Sequence, residues 1–246
     1  MKRLYLSGYS TIVVSFLLAC ILNFSVQAQD AGTTIVTSDF EGWASAGIKL
    51  KLHKKWTFEL SEELRLRKNS TQIDQYFTNF QMGFAPIKFL EFGAGFRFMQ
   101  FNDDENLGTY TPHYRLHFDA AVKHKIKRFS FKYRFRYQFR NEIGLTEEDD
   151  FKHRTRLKAS VSYNIKKIPL EPKISVEIFN KFDKNDPLEF DKMRFVASLA
   201  YDLKKFGKIK LFYAVEPEIT GNYPKTTGIL GLGYTYTINI KKKKKK

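Results

Sequence analysis

Cysteine is nearly absent: the 246-residue chain has one, Cys20. It falls in a short apolar stretch, Thr11 to Ile21, that follows the basic start Met1-Lys2-Arg3 and precedes the small residues of Val26-Gln27-Ala28. That arrangement predicts a cleaved secretory signal over residues 1–28. The mature chain, from Gln29, then has no thiol nucleophile, no disulfide and no cysteine metal site. A lipidated start at Leu17-Leu18-Ala19-Cys20 is the competing reading, but Ile21, Leu22 and Phe24 keep the stretch apolar, as a signal core requires. The run is too short for a good spanning helix. Prolines number only seven, no apolar stripe has helical spacing, and no composition shift marks a linker, so residues 29–240 read as one all-β domain.

Acidic residues are the minority, 26 against 42 basic, for a formal charge of +16. Without Lys2, Arg3 and the polylysine tail Lys241 to Lys246 the balance falls to 34 against 26, or +8. Basic residues interleaved with aromatics can bind nucleic acid, but an exported chain would not meet it. The tail itself reads as a solvated run.

What the chain has in abundance is alternation. In Arg128 to Asn141, Phe129, Phe131, Tyr133, Phe135, Tyr137 and Phe139 take every odd position, and Ser130, Lys132, Arg134, Arg136, Gln138 and Arg140 every even one. A strand sends these two sets to opposite faces, one aromatic and one cationic; a helix would mix them. Similar segments of roughly thirteen residues recur from Trp43 to Ile240, separated by turn signals. Breaks near residues 87, 126, 168 and 206 are short; those near 106, 147, 187 and 221 are longer and more polar. Outer-membrane barrels have short periplasmic turns and longer extracellular loops. On that scheme the strand beginning near Phe40 and the one ending at Ile240 run the same way. An extra strand over Thr33 to Ser38 restores an even count, predicting an antiparallel transmembrane β-barrel of about twelve strands.

A soluble barrel would show the same alternation with its faces exchanged. Strand length favours the membrane form, since about nine to eleven residues cross a bilayer and globular strands average about five or six. So do aromatics near strand ends, Trp43, Trp56, Tyr76, Phe129 and Tyr163, as expected of interfacial girdles. Mean hydropathy is negative despite the apolar faces, as polar residues filling a lumen would produce.

Trp43, Glu62 and Arg65, the RFRYQFR and HRTRLK strands, then Glu177-Ile178-Phe179, Met193-Arg194-Phe195 and Leu211-Phe212-Tyr213 resemble the domain of unknown function 2490 family, over nearly all of the mature chain. The resemblance implies an outer-membrane location in a Gram-negative bacterium and implies no catalytic residue. The lysine tail departs from barrels that end on an aromatic residue.

For chemistry, His113 and His117 share a strand face with Asp119, so a serine from a neighbouring strand would complete a lipid hydrolase. Residues two and four apart on a strand stand roughly 7 and 13 Å apart, too far for one metal and loose for a triad, so neither enzyme nor cofactor is expected. The glycines of Gly228-Ile229-Leu230-Gly231-Leu232-Gly233 read as strand bends, since no helix follows them. The strongest constellation is a cationic lumen: Arg65, Arg67, Arg97, Arg115, Lys132, Arg134, Arg136, Arg140, Arg154, Arg156, Lys158 and Arg194. Its expected counter-ions are Glu59, Glu63, Glu91, Asp119, Glu177 and Asp202. The expected function is a structural or porin-like barrel that binds or passes anionic solutes, with outer-membrane lipids as its other partner. A lipid-modifying hydrolase and a soluble periplasmic β-protein are the alternatives. A turn centred at Glu147 would set Arg140 opposite Arg154 and Arg136 opposite Lys158, with the acidic loop Glu147, Glu148, Asp149 and Asp150 able to fold over them as a lid.

Overall fold

The computed structural model describes residues 37–53, 55–103, 108–144, 152–182, 189–220 and 223–240. The expected secretory signal over residues 1–28, the acidic loop Glu147 to Asp150 and the tail Lys241 to Lys246 lie outside these residues. The alternating segments form eleven strands: β1 (Thr37–Leu52), β2 (Trp56–Arg67), β3 (Gln72–Ile87), β4 (Leu90–Asn102), β5 (Tyr110–Ile126), β6 (Phe129–Glu142), β7 (Lys152–Tyr163), β8 (Leu170–Phe182), β9 (Glu189–Asp202), β10 (Lys208–Pro217) and β11 (Lys225–Ile240). Each pairs antiparallel with the next in sequence, and β1 pairs with β11 to close a barrel. The only other element among the described residues is a single 3-10 turn, Lys204–Phe206. No described helix is long and apolar enough to cross a membrane, which says nothing of strands.

The barrel closes with eleven strands and not the expected twelve; residues 33–36 of the strand expected over Thr33 to Ser38 lie outside the described residues. Thr37 and Ser38 belong to β1, in register with Lys225 and Thr226, and sixteen residue pairs join β1 to β11 in parallel, from Thr37↔Lys225 to Leu52↔Ile240. In a meander of odd count the first and last strands necessarily run the same way. The matching directions at Phe40 and Ile240 therefore need no added strand: a parallel ladder closes the sheet at a slight cost per residue.

Chain reversals at one barrel end are short, as at Lys127 and Arg128 between β5 and β6, where Lys127 takes a φ of 53°. At the other end lie the longer connections, 103–109, 143–151, 183–188 and 218–224, with the tight turn at residues 68–71. Asp39 secures that turn, accepting from the backbone N–H of Lys68 and Asn69 at 3.2 and 2.9 Å.

Burial is inverted relative to a water-soluble protein. Ile174, Leu232 and Phe118 on the outer face are 60, 55 and 54% exposed, whereas Glu177 inside is 1% exposed. The outer face also carries one carboxylate in the middle of an apolar strand, Glu62, exposed between Leu60 and Leu64. Buried apolar side chains are few: Phe77, Met99, Ala121, Phe179, Ala214 and Ile229.

Candidate functional site

The interior is built by the pleat. On β6 the even residues point inward, and the register carries their polarity to the neighbours: Arg115 stands opposite Arg140, Asp119 opposite Arg136, Arg136 opposite Arg156 and Arg134 opposite Lys158. All twelve cations expected in the lumen share the polar parity of their strands, which is the inward one. The β6–β7 register differs from the expected one by two residues: Arg140 faces Lys152, and Arg154 faces Gln138. The connecting turn lies outside the described residues, and the shift of two slides each cation along the ladder without changing its face.

Several carboxylates neutralise this wall from adjacent strands. Glu177 on β8 receives Arg134 at 2.7 Å, Arg156 at 2.9 Å and Lys158 at 3.3 Å. Asp119 is held by both arms of Arg136, at 2.6 and 2.7 Å, the bidentate geometry in which charge-assisted bonds are strongest. Glu91 meets Lys123 and Lys132, Glu63 meets Arg65 at 2.7 Å, and Glu59 meets Lys49 at 2.6 Å. Asp202 behaves otherwise: it is exposed at the end of β9 and accepts from the Lys204 backbone at 2.8 Å, apart from these pairs. Other acids of the interior include Glu216 and Asp191. Glu216 binds Lys192 and Arg194, and Asp191 binds Lys181 at 2.5 Å and Arg154 at 3.3 Å. Asp191 is the extra residue at the β8–β9 register shift, where alternation fails as a guide; parity with Phe212 and Ala214 would have found Glu216.

Aromatic rings supply what the carboxylates leave. The Arg65 guanidinium lies 3.5 Å from the Trp43 ring centroid, Arg97 3.8 Å from Phe77 and Arg156 4.4 Å from Phe179, while Arg194 lies 5.0 Å from both Trp43 and Phe179. Stacked cations of this kind gain roughly 0.5 to 2 kcal/mol each. Trp43 is therefore not a girdle residue. Its indole N–H donates to Glu41 at 2.8 Å and its ring packs edge-on to Phe212; it shares the inward parity of Glu41, Ser45 and Lys49. Trp56, Tyr76 and Phe129 are exposed on the outer face as expected.

Glycines of β11 and β4 act as spaces rather than bends. A Cβ on Gly231 would meet the Phe212 ring at 2.0 Å, and one on Gly95 the His117 ring at 2.2 Å. The two histidines do not assemble a triad. His113 Nδ1 donates to the Thr111 carbonyl (3.2 Å) and its Nε2 faces Glu142 at 3.5 Å, while Asp119 is occupied by Arg136. Among the described residues no cluster of three His, Cys, Asp or Glu is arranged for a metal.

No curated protein matches the chain. A family model described as a protein of unknown function (DUF2490) matches residues 40–218, from Phe40 in β1 to the residue after β10. This span takes in every interior ion pair named above, and the chain belongs to that family.

Proposed function

We propose that this protein is an outer-membrane β-barrel whose interior is a charge-filled core that holds small anions in place, rather than an open passage for them. The observation that carries the reading is the inverted burial: an outer face of exposed Phe, Leu, Ile and Tyr on every strand around an interior of paired Arg and Glu. Water-soluble monomers rarely expose apolar patches beyond a few hundred Å², and a continuous belt suits hydrocarbon. The shortest strand has ten residues, enough to cross a bilayer at a tilt. Against free permeation, Phe77, Met99, Phe179 and Glu177 are fully or almost fully buried within the barrel.

The test is fractionation with outer membranes, together with a mobility on gels that changes on boiling. Release as a soluble periplasmic protein would reject the reading. For the hydrolase alternative, replacing both His113 and His117 by Gln is expected to leave lipid composition unchanged; loss of a lipid-modifying activity would revive it.

A further inference from the structure

Interior cations are matched to a carboxylate or a ring almost everywhere, which makes one row conspicuous. Arg97 on β4, Arg115 on β5 and Arg140 on β6 are directly opposite one another in register. Cα atoms of opposed residues stand about 4.5–5.5 Å apart, and like charges so placed repel. Among the described residues no carboxylate lies within ion-pair distance of any of the three. Arg97 rests on Phe77 and donates to Asn79 at 3.3 Å, and Arg140 lies 5.0 Å from Phe101. Arg115, in the middle, has neither ring nor acid, and its Nε is buried without a hydrogen-bond partner. Two residues along the same face, His117 is 2% exposed and its Nε2 is likewise buried without a partner. Glu142, the acid on the other side of the row, lies 3.5 Å from His113 and outside ion-pair distance of the three arginines.

Leaving a buried charged donor unmet is costly, and here one such donor stands between two further guanidiniums. We propose that Arg97, Arg115 and Arg140 form a binding site for a small tetrahedral oxyanion, of the class of phosphate or a phosphomonoester. A dianion would bridge these three guanidiniums with charge-assisted bonds. Because the row faces the barrel interior, the ligand is soluble rather than a lipid headgroup. This rests on the anion-holding interior proposed above.

The experiment is a titration of the full chain, in non-ionic detergent, with inorganic phosphate, with sodium chloride at equal ionic strength as reference. Boiling-dependent mobility is checked on the same samples, so that a failed barrel is told apart from a failed site. Saturable phosphate binding is expected, weakened about ten- to hundredfold by Arg115→Gln and also weakened by Arg97→Gln, with Lys173→Gln, another inward cation, binding as the parent does. Without phosphate, Arg115→Gln is expected to unfold at a higher denaturant concentration than the parent, because a repulsion has been removed; a structural arginine would shift it the other way and overturn the proposal. So would a phosphate response no greater than that to chloride, or equal binding by parent and variants. In nanodiscs, replacing zwitterionic lipid by phosphatidylglycerol is expected to leave phosphate binding unchanged; competition by the lipid would overturn the assignment to a soluble ligand.

Discussion

The inner wall has two unlike halves. From β5 to β8 it carries long cations, Arg115, Arg134, Arg136, Arg140, Arg154, Arg156 and Lys158, gathered on Asp119, Glu177 and Asp191 where they are paired. Across the closing seam, β11 and β1 present Thr227, Gly231, Gly233, Thr235, Ser45 and Gly47 at inward positions, with Trp43 and Lys49 of β1 among the large exceptions. A closed barrel has a fixed interior, so long side chains on one wall require short ones elsewhere. The contact of Arg194 with Trp43, from β9 to β1 across the two intervening strands, shows how far such side chains reach. Glycine in β11 thus answers to arginine and aromatics on other strands.

Breaking the charged half is expected to have the largest effect. Glu177→Gln leaves Arg134, Arg156 and Lys158 without their shared anion, and removing one partner of a buried ion pair costs about 3–5 kcal/mol. Urea unfolding of the folded barrel in detergent measures it. Breaking the small half comes next. Gly231→Val places a side chain in the space of the Phe212 ring, an overpacking that costs about 1–3 kcal/mol. In a Phe212→Ala background the same substitution is expected to cost less, and a double-mutant cycle gives the coupling. Smallest is a pair at the rim, Lys208 with Glu171 at 3.4 Å, both side chains more than 40% exposed. Lys208→Gln is expected to change stability by less than about 1 kcal/mol, with the unfolding midpoint as the check.

Much of this contrast was legible in the sequence, because a two-residue period assigns faces without any structure. The twelve interior cations follow from it, as does the outward placement of Phe129 and Leu157. The errors came where another criterion displaced parity. Residue type alone points Trp43 to a girdle, but its neighbours at positions 41 and 45 are polar and parity turns it inward; Phe77, Phe101, Phe179 and Phe212 are interior rings by the same parity. Strand number departs from the even count usual in such barrels because the first and last strands run the same way, which implies an odd one. The β6–β7 register could not be fixed from the loop composition, since sliding by two keeps every side chain on its face. Asp191 owes its inward position to a register shift that alternation cannot anticipate.

The central claim is that the alternation separates lipid from a packed, charged interior. Single cysteines introduced along β6 from Phe131 to Arg136, in a Cys20→Ala background and spin-labelled in bilayers, test it most directly through their accessibility to molecular oxygen and to a water-soluble nickel chelate. The account predicts that oxygen broadens labels at 131, 133 and 135 while those at 132, 134 and 136 are shielded from it, in strict two-residue alternation. Labels at 131, 133 and 135 that are shielded from oxygen but open to the nickel chelate would contradict it.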